Sequence, residues 1–156
     1  MAIKMPKEQW GVGPWQGEPD RLEWRRHGLP CLIVRGAHGA LCGYVAVPPG
    51  HPLHGLSYHA PTCPDFAVHG GLTYAGGCDE HICHVPRPGE PDNVWWFGFD
   101  CAHCDDFCPR IAATLDAIDS VMPFHDADAI YRDVAYVAAE VNGLADQLQQ
   151  WGTGHA

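Results

Sequence analysis

The chain has 156 residues, of which 46% are hydrophobic and 18% are charged, a composition typical of one globular domain. Nine Lys and Arg against 19 Asp and Glu give a formal net charge of -10, which argues against an extended nucleic-acid surface, because such a surface needs a basic stripe. No apolar run reaches the roughly 20 residues that cross a bilayer, and residues 1–6 lack the apolar core of a signal peptide. We therefore expect a cytoplasmic protein that binds no membrane.

Eight cysteines and eleven histidines are the most informative part of the composition. Because reducing compartments keep thiols free of disulfides, a cytoplasmic location would favour metal binding or thiol chemistry over a disulfide framework.

The N-terminal part of the chain predicts an irregular arm followed by a sheet. Residues 1–20 are rich in Gly and Pro, and we expect Trp10 and Trp15 to dock this arm on the body. Sheet and loops are expected over residues 22–108, beginning with a short segment, 22–26, that fits either a strand or a helix.

Two apolar runs, 31–34 and 40–47, flank a Gly-containing turn and predict a β-hairpin. Further along, 66–69 and 72–74 read as short strand-like pieces between two loops rich in Pro and Gly. The aromatic run 94–99 predicts a central strand that is covered on both faces.

The C-terminal part predicts helices over residues 110–151. A short helix is expected at 111–118, and a long one at about 128–151, capped by Asp126 or Asp128 and ended by Gly152. Its apolar residues recur at steps of three and four: Ile130, Val134, Val137, Val141, Leu144, Leu148 and Trp151. The predicted fold is a single α+β domain, residues 1–156, in which a mostly antiparallel sheet packs one face against the long C-terminal helix.

The end of the aromatic strand is the first candidate site. It places Asp100, Cys101, His103 and Asp106 within a few positions, and strand ends hold side chains rigidly at a surface. A thiol beside an imidazole can become a thiolate nucleophile, whereas an Asp and a His with one more ligand can hold a metal. We therefore consider His103, Asp100 and Cys101 candidate catalytic residues and Asp106 a ligand or orienting group.

The segment around His69 is the second candidate site. His69 ends a short apolar run and is followed by Gly70 and Gly71, which allow a ligand to approach the backbone and could supply N–H donors. We predict that His69 is catalytic, that Gly70, Gly71 and Thr73 bind ligand, and that the His69 ring lies within about 8 Å of Cys101 or His103.

A structural zinc site is the third candidate. Cys78, Cys83, Cys101 and Cys104 have a spacing that loosely resembles a zinc ribbon, and the same region offers further donors: His81, His84 and Cys108.

Several segments together resemble a family of small proteins common in phages and other mobile elements. The resemblance covers roughly residues 24–150, and its most specific motifs are His-Gly-Gly-Leu-Thr at 69–73 and Gly-Phe-Asp-Cys-Ala-His at 98–103. It extends to residues 131–137 and implies a common site at His69, Asp100, Cys101, His103 and Asp106. It implies no particular activity. Where the family has a small residue and Gly, this chain has Cys104 and Asp105, which weakens the zinc-ribbon interpretation.

Three functions therefore stay open. The first is a thiol- or metal-dependent hydrolase or transferase acting on a small polar substrate. The second is a binding protein that captures a small signalling ligand or a basic host protein, since the charge of -10 would steer a basic partner. The third is a structural zinc-binding domain without catalysis.

Overall fold

Antiparallel strands and two helices account for most of the regular structure. The computed structural model describes residues 5–118 and 128–154. The elements in chain order are β1 Arg21–Arg26, β2 Leu29–Arg35, β3 Leu41–Val47, β4 Tyr74–Gly76, β5 Trp95–Asp100, α1 Pro109–Ile118 and α2 Val134–Gly154. Neither helix in the described ranges is long and apolar enough to cross a membrane.

The five strands form one antiparallel sheet in the order β1-β2-β3-β5-β4. The predicted hairpin is confirmed as β2 and β3, in which Ile33 pairs with Gly43. The segment 22–26, for which a strand and a helix were both open, belongs to the edge strand β1. The predicted aromatic strand is confirmed as β5, which lies between β3 and the short β4. The α+β class with an antiparallel sheet and a packed C-terminal helix is thus as predicted.

Alternation along the strands gives the sheet two different faces. The helix-covered face packs against α2 through residues that are almost fully buried: Ile33, Val45, Phe97, Phe99, Val137, Val141, Leu144 and Leu148. Gly43 permits this close packing, because a Cβ there would lie 2.5 Å from the Val141 side chain. The loop-covered face consists of Leu32, Tyr44, Ala46 and Trp96, together with Val94 and Ile82.

Helix α2 confirms the predicted stripe but not its N-terminal end. Ile130 is 55% exposed and lies in a bridge to Asp106 before the helix begins. The cap is Asp133, whose carboxylate accepts the Tyr136 N–H at 2.8 Å, so the predicted cap at Asp128 is wrong. The alternative cap, residue 126, lies outside the described residues.

The C-terminal end of α2 also differs from the prediction, because Gly152 does not end the helix, which runs to Gly154. The predicted strand-like piece at 66–69 is irregular, and the next strand begins only at Tyr74.

The N-terminal arm packs on the body as predicted for Trp15. This side chain is 7% exposed and stacks on Phe107 and against Tyr131. Glu18 at the end of the arm accepts the Val134 N–H at 2.7 Å, so the arm satisfies a donor in the first turn of α2.

Candidate functional site

A cluster of hydrogen-bonded side chains surrounds the buried carboxylate of Asp106, whose side chain is 1% exposed. His69 Nε2 lies 2.8 Å from Asp106 Oδ2, and His103 Nδ1 lies 3.2 Å from the same oxygen. Arg132 Nε donates to Asp106 Oδ1 at 3.1 Å. On the far side of His69, Nδ1 lies 2.8 Å from the Tyr136 hydroxyl. These five residues are called the Asp106 cluster below.

Three segments of the chain build the Asp106 cluster, the first of which is the turn that carries His69. The loop after β5 carries His103 and Asp106, whose backbone forms a turn in which the Asp106 N–H donates to the His103 carbonyl at 2.9 Å. The bridge between Asp106 and Ile130 then brings Arg132 alongside. Tyr136 stands on the first turn of α2, and Arg132 lies over its ring, with Cζ 4.7 Å from the centroid.

The predicted meeting of the two histidine motifs is confirmed. The ring centroids of His69 and His103 are 5.4 Å apart, within the expected 8 Å. Gly70 makes this possible, because it adopts φ +69° and a Cβ at that position would overlap the His103 ring. Gly71 also has a positive φ, of +78°, but a Cβ there would meet no atom within 4 Å. The two glycines therefore share a turn, and only Gly70 allows the close approach of His103.

Gly71, predicted to be a backbone donor to a ligand, and Thr73, predicted to bind ligand, both have their backbone N–H groups engaged within the fold. The Gly71 N–H donates to the Val68 carbonyl at 2.9 Å, and the Thr73 N–H donates to the Gly98 carbonyl at 2.9 Å. Both groups are therefore used in local structure, and only the exposed Thr73 side chain could take part in ligand binding.

Asp106 is ionised in this environment. Burial alone would raise the pKa of its carboxyl, but hydrogen bonds from His69, the His103 N–H and Arg132 outweigh it and lower the pKa below its usual value. An ionised carboxylate with hydrogen bonds to its oxygens is the form that acts as a metal ligand.

Three groups of the Asp106 cluster could hold a metal ion. One ligand atom each from His69, His103 and Asp106 lie within 4.8 Å of one another. In a tetrahedral zinc site with bonds of about 2.0–2.1 Å, neighbouring ligand atoms are about 3.3 Å apart. The observed separations of 2.8 and 3.2 Å from Asp106 Oδ2 are close to that value, so a small outward movement would accommodate an ion.

Cys101 lies near the cluster but is not placed to act as a nucleophile, contrary to its predicted catalytic role. It is 1% exposed and belongs to the core of the helix-covered face. Burial, with the nearby charge of Asp106, raises the pKa of its thiol well above the usual range. A thiolate is therefore disfavoured, since only an accessible, deprotonated sulfur attacks a substrate.

Asp100 points to the other side of the strand end. Its carboxylate accepts the Ala102 N–H at 3.0 Å, and the nearest approach to His103 Nδ1 is 3.9 Å. It borders an open cleft of about 340 Å³ with His38 and Cys42. Asp100 thus lies next to the Asp106 cluster without forming part of it. On the near side, His103 and Asp106 border a second cleft of about 240 Å³ beside α1.

The four cysteines predicted as one zinc site are not brought together. Cys78 and Cys83 form a disulfide in the loop whose His84 ring packs on Trp96, whereas Cys101 belongs to the opposite face of the sheet. Among residues 5–118 and 128–154, one group that could hold a metal consists of Cys78, Cys83 and His84. Neither that group nor the one at Asp106 includes Cys101 or Cys104. The side-chain alternation along β5 explains the error, because it turns Cys101 inward.

Sequence reasoning assigned no site role to Arg132 and Tyr136. Both lie in the segment 131–137 that supports the family resemblance, and that resemblance is the one feature of the sequence that could have drawn attention to them. Nothing in that segment indicates that it contacts Asp106, which precedes Arg132 by 26 positions.

Comparisons with protein-family models, with curated proteins and with solved structures give no match to this chain. The resemblance to phage proteins therefore stays a prediction, and the functional argument depends on the geometry alone.

Proposed function

We propose that His69, His103 and Asp106 bind a divalent transition-metal ion, zinc in the first place, and that the protein uses it to hydrolyse, or to transfer a group from, a small polar substrate. The observation that carries the proposal is the convergence of two imidazole nitrogens and one carboxylate oxygen within 4.8 Å. Two histidines with one carboxylate form a common ligand set of catalytic zinc, and of other divalent metals.

The surrounding contacts support this assignment. Metal-binding histidines usually donate their second ring N–H to a fixed partner, and metal-binding carboxylates are themselves hydrogen-bonded. Here Tyr136 lies against His69 Nδ1 and Arg132 donates to Asp106 Oδ1, so two of the three ligands, His69 and Asp106, already have a partner that would orient them.

His69, His103 and Asp106 would hold the ion through three ligands and leave a coordination position for water. A zinc ion bound there would lower the pKa of that water to about 7 and so supply a nucleophile for the substrate. Arg132, whose side chain is 21% exposed, is suited to bind a negatively charged group of the substrate.

The buried state of Cys101 favours this route over thiolate catalysis. Chemistry supplied by a metal at His69, His103 and Asp106 would need no thiol, so mutation separates the two mechanisms. Cys101→Ala should retain activity and metal binding at the Asp106 cluster, whereas His69→Ala, His103→Ala and Asp106→Asn should lose activity and the one zinc equivalent bound at this cluster.

The test is zinc titration by calorimetry of the wild type and these variants, followed by assays on a panel of nitrophenyl esters and phosphoesters. His59→Ala is the matched control, because His59 is exposed and belongs to neither metal-compatible group. The proposal predicts that one zinc equivalent disappears in the three ligand variants only. If the ligand variants bind as much zinc as the wild type, the assignment is wrong. Zinc binding without turnover would instead support a protein that captures its ligand.

A further inference from the structure

His84, a histidine outside the Asp106 cluster, directly follows a tight turn that begins at Cys78 and ends at Cys83. The backbones of Asp79 and Ile82 pair through two hydrogen bonds of 3.1 and 2.9 Å, which makes this segment a miniature hairpin. Cys78 and Cys83 flank the paired residues, so the hairpin itself places their side chains opposite each other, with Cα atoms 4.7 Å apart. The disulfide between them is thus built on a turn that already brings the two sulfurs together.

The imidazole ring of His84, next to this pair, has no hydrogen-bond partner among residues 5–118 and 128–154. The residue is 9% exposed, and neither ring nitrogen is satisfied within the part of the chain that the structure describes. Leaving buried polar atoms unpaired is costly, and such groups in native proteins call for a partner. One nitrogen of His84 and both cysteine sulfurs lie within 4.8 Å of one another. An imidazole without a partner in the described residues therefore lies close to two sulfur atoms.

The turn is held in place independently of the sulfur–sulfur bond. Arg21 on β1 donates from Nη1 to the His81 carbonyl at 2.6 Å and from Nη2 to the Cys83 carbonyl at 2.5 Å. The His84 ring packs edge-on against Trp96 with a centroid distance of 5.6 Å. These contacts anchor the turn and the histidine to the loop-covered face, so opening the disulfide leaves the three side chains close together.

We infer that Cys78, Cys83 and His84 form a redox-controlled zinc site, distinct from the Asp106 cluster. In the dithiol form, two thiolates and one imidazole nitrogen bind Zn²⁺, and a water or small anion takes the fourth position. Thiolate and imidazole are the donors that zinc prefers. In the disulfide form the sulfurs are no longer thiolates, and the site cannot hold the ion.

The change between the two forms is a thiol–disulfide exchange with a small-molecule disulfide such as oxidised glutathione. The two zinc-bound thiolates lose two electrons and become the Cys78–Cys83 disulfide. The oxidant takes up those two electrons with two protons from the solvent and becomes two thiols, while Zn²⁺ is released. A dithiol reductant with added zinc reverses the reaction.

Cobalt substitution tests the inference, because a cobalt–thiolate bond gives a near-ultraviolet charge-transfer band that the Asp106 cluster, which offers only nitrogen and oxygen ligands, cannot produce. The reduced wild-type protein titrated with Co²⁺ should show this band, and zinc should displace it. Oxidation with oxidised glutathione should abolish it. Cys78→Ser and Cys83→Ser should lose it, and His84→Ala should weaken cobalt binding at the site. The matched control is Cys104→Ser, since Cys104 is an exposed free cysteine outside the group.

The comparison of oxidised and reduced wild type needs no substitution, so the test stands even where His84→Ala fails to fold. No thiolate band in the reduced protein, a band lost in Cys104→Ser and kept in Cys78→Ser, or unchanged affinity in a folded His84→Ala would each overturn the inference. His69→Ala separates it from the proposed function: that variant should keep the thiolate band, whichever way the Asp106 cluster behaves.

Discussion

Each face of the sheet carries a group of possible metal ligands: the Asp106 cluster on the helix-covered side, and Cys78, Cys83 and His84 on the loop-covered side. The histidines of the two groups differ in their hydrogen bonds. On the helix-covered side, both ring nitrogens of His69 have partners, Asp106 and Tyr136. On the loop-covered side, neither ring nitrogen of His84 has a partner among the residues that the structure describes. The first cluster is held by its own hydrogen bonds and by the N-terminal turn of α2. The second group is held by a short turn, by the hydrogen bonds of Arg21 and by the contact of His84 with Trp96.

This difference shows how the two regions can serve different purposes. A site whose ligands are fixed by hydrogen bonds keeps its geometry with or without an ion, as catalysis requires. A site whose histidine is unsatisfied gains most from an added ligand, because binding satisfies a buried donor or acceptor that is otherwise unpaired.

The largest expected effect lies in the packing of the helix-covered face. Val141→Asp places an unpaired carboxylate where the native side chain is fully buried, and we expect it to lower the free energy of unfolding by about 4 kcal/mol or more. Val85→Asp, at a position 84% exposed, is the control and should stay within about 0.5 kcal/mol of the wild type. Urea unfolding measures both. Equal stabilities for the two variants would contradict the packing of α2 on the sheet.

The next effect concerns the turn that positions the Asp106 cluster. Gly70→Ala and Gly71→Ala both place a side chain at a positive φ, which costs about 1–2 kcal/mol of stability in each case. Only the first also pushes a Cβ into the His103 ring. We therefore expect similar melting temperatures but a loss of zinc affinity in Gly70→Ala alone. Matching affinities in the two variants would show that the contact with His103 does not matter for the site.

The smallest effect is a pH dependence at the edge of the helix-covered face. Hydrogen bonds from Arg26 and His27 lower the pKa of Asp146 to about 2, against about 3.9 for an unfolded Asp. Because the folded-state pKa is depressed, this carboxylate stabilises the fold above about pH 4. Its contribution is lost as the pH falls towards 2. Asp146→Asn should melt slightly below the wild type at pH 7, and the difference should vanish near pH 2. A difference that stays constant across this range would rule out the ion pair as its source.

The elements of the helix-covered face could be predicted because local periodicity controls them. The hairpin of β2 and β3 and the stripe from Val137 to Leu148 follow from the repeat of apolar side chains alone. The prediction that Ile130 belongs to the helix was wrong because it rested on the same periodicity. Ile130 fits the apolar repeat on the N-terminal side of Val134, but it forms a bridge with Asp106 before the helix begins. The periodicity of apolar residues therefore does not show at which residue a helix begins.

The candidate site could be predicted only in part. Two motifs that end in histidine predicted the meeting of His69 and His103. The expectation that both motifs end strands holds only for the one after β5, because the segment 66–69 is irregular. Arg132 could not be assigned, because its contact with Asp106 depends on a long-range bridge. The prediction of one zinc site with four cysteines failed because spacing along the chain carries no information about the two faces of the sheet. It grouped Cys101 with Cys78, although the sheet separates them.

The most direct test of the central claim is a crystal structure of the zinc-loaded protein with anomalous scattering data collected at the zinc edge. The account predicts an anomalous peak bonded to His69 Nε2, His103 Nδ1 and Asp106 Oδ2, with the His69 contact to Tyr136 retained. A map with no peak at this position, in which His69 still hydrogen-bonds directly to Asp106 in the presence of excess zinc, would contradict it.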